Sequence, residues 1–92
     1  MWILQSSEAS FRLQSGAMKT VGRAPGADLI LDVAHVSRLH CRLTASDDRL
    51  DVVDLKSTNG TFVNDKRIEK AQLAIGDRLR IGRVELTVDR QA

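Results

Sequence analysis

Three short stretches bring together side chains able to hold an anion: Gly22-Arg23, Ser37-Arg38-Leu39-His40 and Ser57-Thr58-Asn59-Gly60-Thr61, with Asn64 close behind. Two guanidinium groups, several hydroxyls and a carboxamide are the donors that a tetrahedral dianion and the peptide carrying it require. A guanidinium fork in particular pairs with two oxygens at once. Each residue also has a plain structural reading: Arg23 as a solvated strand end, Ser37 as a turn former, Asn59-Gly60 as a hairpin turn whose two residues both accept positive φ. Their concentration in turn segments favours a shared purpose. Other chemistries lack their parts, since no Gly-rich nucleotide loop, nucleophile elbow or paired-histidine zinc helix occurs. His35, His40 and Cys41 are the soft metal ligands, but adjacent His40 and Cys41 would face opposite sides of a strand. Cys41 has no obvious neighbouring base to lower its pKa and reads as a buried thiol. No catalytic role, metal or cofactor is expected.

The elements that position these residues read as strands. Trp2, Phe11 and Phe62 are the only aromatics, so the core must be built from Val, Leu and Ile, which occur in short runs rather than at helical spacing. Ile3-Leu4, Phe11–Leu13, Lys19–Gly22, Leu29–Leu31, Cys41–Thr44, Leu50–Leu55, Thr61–Val63, Arg67-Ile68, Leu79–Ile81 and Val84–Val88 make about ten strands. Turn clusters separate them: Ser15-Gly16, Ala24–Asp28, Ser46–Asp48, Ser57–Gly60, Asn64-Asp65 and Gly76-Asp77. Their spacing is that of an all-β sandwich of two packed sheets, whose loops gather at its ends.

Length and composition narrow the class. The 92 residues suffice for one domain, 1–92, with Asp89-Arg90-Gln91-Ala92 a place where a longer chain could have been trimmed. Hydrophobic residues at 42% and charged residues at 28% describe a folded globular chain, and a net charge of +2 is too small for a polyanion-coating protein. A single cysteine excludes an internal disulfide and favours a reducing, cytoplasmic setting. No membrane span or signal peptide is read.

From Ile3 to Val88 the chain resembles the forkhead-associated domain family of phosphothreonine-recognition modules. The resemblance is carried by Gly22-Arg23, Ser37-Arg38 with His40 two further on, and Thr58-Asn59-Gly60-Thr61 followed by Asn64, in the family's order and spacing. It implies a β-sandwich with its binding loops at one end and a non-catalytic role in phosphorylation-dependent protein–protein interaction. By resemblance, Arg23 and Ser37 would contact phosphate oxygens, Arg38 and Thr58 would complete the ring of donors, and Asn59 would hold the ligand's main chain. Gly22 would free the backbone for the turn that aims Arg23, and Gly60 would close the loop presenting Asn59. His40 is assigned to bracing the loop and Asn64 to stabilising a turn. The loop ahead of Ser37, Val33-Ala34-His35-Val36, would read a flanking ligand residue, with His35 as its polar member and an aliphatic preference at neutral pH.

Two other readings compete. Arg12, Arg42, Arg49, Arg78, Arg80, Arg83 and Arg90 could form a basic face for nucleic acid, although strand binding wants aromatic stacking platforms that three aromatics hardly supply. A phosphate-independent scaffold is the other, since fold does not dictate function. The leading expectation is a phosphothreonine-containing segment as partner, in trans or in the same chain, with no nucleic acid or membrane and a monomeric isolated domain.

Overall fold

In the computed structural model, which describes residues 1–7 and 9–91, alternation along strands such as Trp2–Gln5, Cys41–Ala45, Arg78–Ile81 and Val84–Arg90 decides which side chains are covered. Strand β5 (Cys41–Ala45) shows the rule: Cys41, Leu43 and Ala45 are buried, while Arg42 and Thr44 face outward. The other strands are β1 (Trp2–Gln5), β2 (Ser10–Leu13), β3 (Met18–Gly22), β4 (Leu29–Ile30), β6 (Leu50–Asp54), β7 (Thr61–Val63), β8 (Lys66–Ile68), β9 (Lys70–Leu73), β10 (Arg78–Ile81) and β11 (Val84–Arg90). They form a six-stranded sheet in the order β2-β1-β11-β10-β7-β8 and a five-stranded sheet in the order β4-β3-β5-β6-β9. Every pairing is antiparallel except β3 with the two-residue β4.

The inner faces meet in a core in which Leu4, Leu13, Leu43, Leu50, Leu79, Ile81 and Leu86 are fully covered. Burying a leucine-sized side chain contributes about 1.5–3 kcal/mol, so this aliphatic layer is the main stabilising term. Trp2 adds a polar tie, its indole N–H donating to the Ser46 carbonyl at 2.9 Å across to the β5–β6 turn.

The expected all-β sandwich of two sheets is what folds. One strand was not legible: β9 lies in Lys-Ala-Gln-Leu, whose first three residues prefer helix and whose only fully covered side chain is Leu73. It becomes a strand because β6 offers it an edge, with Leu50 opposite Leu73 and Val52 opposite Ala71. The hairpin reading of Asn59-Gly60 is also corrected. Positive φ occurs at Gly60 (91°) but not at Asn59, because β6 and β7 belong to different sheets and their link is a crossover. The two-residue hairpin with both φ positive is Asn64-Asp65, at 50° and 70°, joining β7 to β8.

Candidate functional site

At one end of the sandwich, β3, β5, β6, β7, β10 and β11 all start or stop, and the loops they release are stitched to one another. The end of β3 sets Arg23: its N–H donates to the Ser37 carbonyl at 2.9 Å, and the Ala24 N–H donates to the Arg38 carbonyl at 3.1 Å. Gly22 is needed for space rather than for φ freedom. Its φ is not positive, but a Cβ there would collide with the Arg38 carbonyl oxygen and lie 3.0 Å from Leu39 Cα. The expected reason for this glycine is thereby replaced by close backbone approach. Downstream, the Asp28 carboxylate accepts both the N–H and the hydroxyl of Thr20, at 2.9 and 3.0 Å, and closes the segment that follows Arg23. Those bonds lower the exposed Asp28 carboxyl below its usual pKa.

His40 is fully buried and joins two loops. Its Nδ1 accepts the Ser37 N–H at 2.9 Å, and its Nε2 lies 2.8 Å from the Gly60 carbonyl oxygen. A backbone N–H can only donate and a carbonyl can only accept, so this pair of partners selects the neutral tautomer with its proton on Nε2. Two further bonds cross the same gap: the Thr58 N–H donates to Ser37 Oγ at 3.1 Å, and Asn59 Nδ2 donates to the His35 carbonyl at 3.1 Å.

Behind these contacts stands a group that sequence reading missed. Asp54, at the end of β6, accepts the Ser57 hydroxyl at 2.5 Å, the Thr61 hydroxyl at 2.8 Å and the Ser57 N–H at 3.2 Å. Ser57 Oγ in turn accepts the Gly60 N–H at 3.1 Å. Burial works to raise the Asp54 pKa, but the hydrogen bonds outweigh it and hold the carboxyl below its ordinary value. The available signal was an Asp three residues before Ser57 and seven before Thr61, a side-chain-to-backbone turn arrangement.

Donors remain free on the solvent side. The Arg23 and Arg38 guanidinium groups and the Thr58 hydroxyl are exposed and make no hydrogen bond or ion pair among the described residues. Ser37 Oγ uses a lone pair on Thr58 and keeps its O–H to donate, and Asn59 keeps its carbonyl and one N–H. The structure therefore gathers Gly22, Arg23, His35, Ser37, Arg38, His40, Thr58, Asn59 and Gly60 on adjoining loops. Asn64 is elsewhere. It lies past β7, where its Oδ1 accepts the Arg78 N–H at 2.9 Å and its Nδ2 donates to Asp77 at 3.0 Å, tying two turns at the opposite end. The arginines of the supposed basic face are divided: Arg42 is on the five-stranded sheet, Arg12, Arg78, Arg80 and Arg90 are on the six-stranded one, and Arg49 pairs with Asp51. Among the described residues no three His, Cys, Asp or Glu side chains are placed to share a cation.

The FHA domain profile matches residues 19–82, about two thirds of the chain. The chain belongs to the FHA family. This FHA domain is 40% identical over 70 residues to the glycogen accumulation regulator GarA of Mycobacterium tuberculosis, covering 76% of this chain and 43% of that one. A solved FHA domain from a structural and functional analysis of phosphothreonine-dependent FHA domain interactions superposes with a TM-score of 0.89 at 33% identity, covering 99% of this chain and 97% of the other. The FHA domain of the CT664 protein from Chlamydia trachomatis gives a TM-score of 0.92 at 26% identity, covering 99% and 98%. This FHA domain thus spans less than half the length of GarA. Its β1, β2 and β11 lie outside the matched span yet pair into the six-stranded sheet.

Proposed function

We propose that this FHA domain is a non-catalytic module that reads phosphothreonine in an extended segment of a partner protein or of its own full-length chain. The observation that supports it most directly is the set of free donors at Arg23, Ser37, Arg38 and Thr58. They stand on loops made rigid from behind by His40 and Asp54. A phosphate carries a charge of about −1.5 to −2 and three acceptor oxygens, which suits two guanidiniums and two hydroxyls. Arg23 and Ser37 are assigned to the phosphate, Arg38 and Thr58 to completing its ring of donors, and Asn59 to the ligand main chain through its free carbonyl and N–H. Gly22, His40 and Gly60 hold the loops, whereas Asn64 acts on the distant turns. Residues 1–92 are taken as one domain, which the pairing of β1 with β11 supports. A reducing, cytoplasmic setting is inferred from the unpaired, buried Cys41.

An oriented phosphopeptide library with matched unphosphorylated controls tests this reading. Binding is expected only to phosphorylated members and is lost in Arg23→Ala, whose far-UV circular dichroism stays unchanged. Equal binding with and without phosphate would leave the scaffold alternative standing. Affinity for single-stranded nucleic acid that falls steeply with salt would support the other alternative.

A further inference from the structure

Next to Asn59 a recess of about 270 Å³ opens, lined by His35, Asn59, Phe62, Arg80, Gly82 and Arg83. It is smaller than pockets for drug-sized ligands, roughly 300–1,000 Å³, and suits a single side chain. Its walls come from three separate chain segments, and two contacts fix them. Asn59 bonds the His35 carbonyl, and Gly82 packs so closely on that carbonyl that a Cβ there would lie 2.5 Å from its oxygen. Arg80 is half-buried on β10, with its guanidinium carbon 4.0 Å from the centre of the Phe62 ring opposite it in register. Stacking of this kind orients the planar guanidinium while leaving its N–H edges free. Arg83 stands exposed on the β10–β11 turn. Neither arginine makes an ion pair among the described residues, and no acidic side chain lines the recess. Glu85, the acid nearest in register to Arg80, is also exposed and unpaired with it.

The apolar neighbours of His35 do not supply the recess. Val36 is 3% exposed in the core, and Val33 and Ala34 are not among the lining residues. Val33 is exposed beside it rather than within it, so the aliphatic preference expected from the sequence does not draw on this recess. We propose instead that Arg80 and Arg83 select an acidic residue of the ligand near the phosphothreonine, taking its carboxylate into this recess. The inference rests on the phosphothreonine reading. Two arginines lining one small recess that holds no acidic side chain leave its positive charge uncompensated, and a ligand carboxylate there would offset that charge while accepting charge-assisted hydrogen bonds.

The experiment is a set of phosphothreonine peptides in which Asp is exchanged for Asn, and Glu for Gln, at each flanking position in turn, with affinities measured at low salt. The acid-to-amide ratio is expected to reach roughly three- to tenfold at one position, between the value of an exposed ion pair and that of a charged hydrogen bond. In Arg80→Gln/Arg83→Gln the ratio at that position falls to about one, while dependence on phosphate is retained. Arg83→Gln alone, on an exposed turn that leaves the Phe62 stack in place, lowers the ratio at the same position. Phosphate-dependent binding with no acid preference anywhere, or a preference that survives the double substitution, would overturn this inference alone. Equal binding of phosphorylated and unphosphorylated peptides by the wild type would overturn both it and the reading beneath it.

Discussion

Replacing His40 with alanine removes a side chain that bonds both Ser37 and Gly60. Two hydrogen bonds are lost, at about 0.5–1.5 kcal/mol net each. The Gly60 carbonyl is left buried without a partner, which adds about 1–3 kcal/mol. Together these come to about 2–6 kcal/mol, a large share of the roughly 5–14 kcal/mol on which a chain of this size depends. For domains of this length each kcal/mol moves the melting temperature by about 4–8 °C, so a fall of at least about 8 °C is expected. Circular dichroism melts and urea titrations measure it directly. Two companions sharpen the result. His40→Gln carries an acceptor and a donor on one side chain and should recover part of the loss. His35→Asn suits the positive φ of 73° at an exposed position and should stay within about 0.5 kcal/mol of the wild type. A melting temperature in His40→Ala within a few degrees of the wild type would show that the two loops are held by something other than this bridge.

Asp54 gives the chain an acid sensitivity with a definite sign. Its folded pKa lies below the unfolded value, so its contribution is complete above about pH 5 and is lost as pH falls through the folded value. Asp54→Ala should be less stable at pH 7 and lose less on acidification, and parallel stability curves from pH 7 to pH 3 would contradict this. Cys41 is pushed up to about 12 by burial, with the Asp54 charge adding to the effect. Iodoacetamide at pH 8 should leave it unmodified in the native chain and label it in urea, as mass spectrometry would show. Phosphothreonine should be preferred over phosphoserine in the same peptide, since one methyl in a fitted recess is worth about 1–3 kcal/mol. Isothermal titration giving equal affinities would remove such a recess.

Which parts of this molecule could be read in advance follows from how local their causes are. Alternating burial marks β5 and β11 because a strand covered on one face writes its period into the sequence. The Lys70–Leu73 strand carries no such mark and exists because β6 pairs with it. The loop residues Arg23, Ser37, Thr58 and Asn59 stood out by type and order, and they do lie on adjoining loops. What they touch was another matter. The role of Asp54 depends on hydroxyls three and seven residues later folding back onto it. The surroundings of His35 are set by Arg80 and Arg83, more than forty residues away in sequence. A residue-by-residue reading cannot reach such pairings, because they are made by sheet order. Asn64 stabilises turns, as its residue type suggested, but at the opposite end from Asn59, because β7 lies between them.

The Met1 amino group donates to the Gln91 carbonyl at 2.9 Å, and the Gln91 N–H donates to the Met1 carbonyl at 2.8 Å. The β1–β11 ladder thus runs on to residues 1 and 91, at the pole away from Arg23, Ser37 and Asn59. A peptide linker of a few residues could join them, and a new opening cut at the exposed Ser46–Asp48 turn would keep every strand pairing. A circular permutant, or this sandwich spliced into a surface loop of an unrelated carrier, should therefore present its loops outward with their geometry unaltered. The same placement makes either end a suitable point for attachment to a sensor surface.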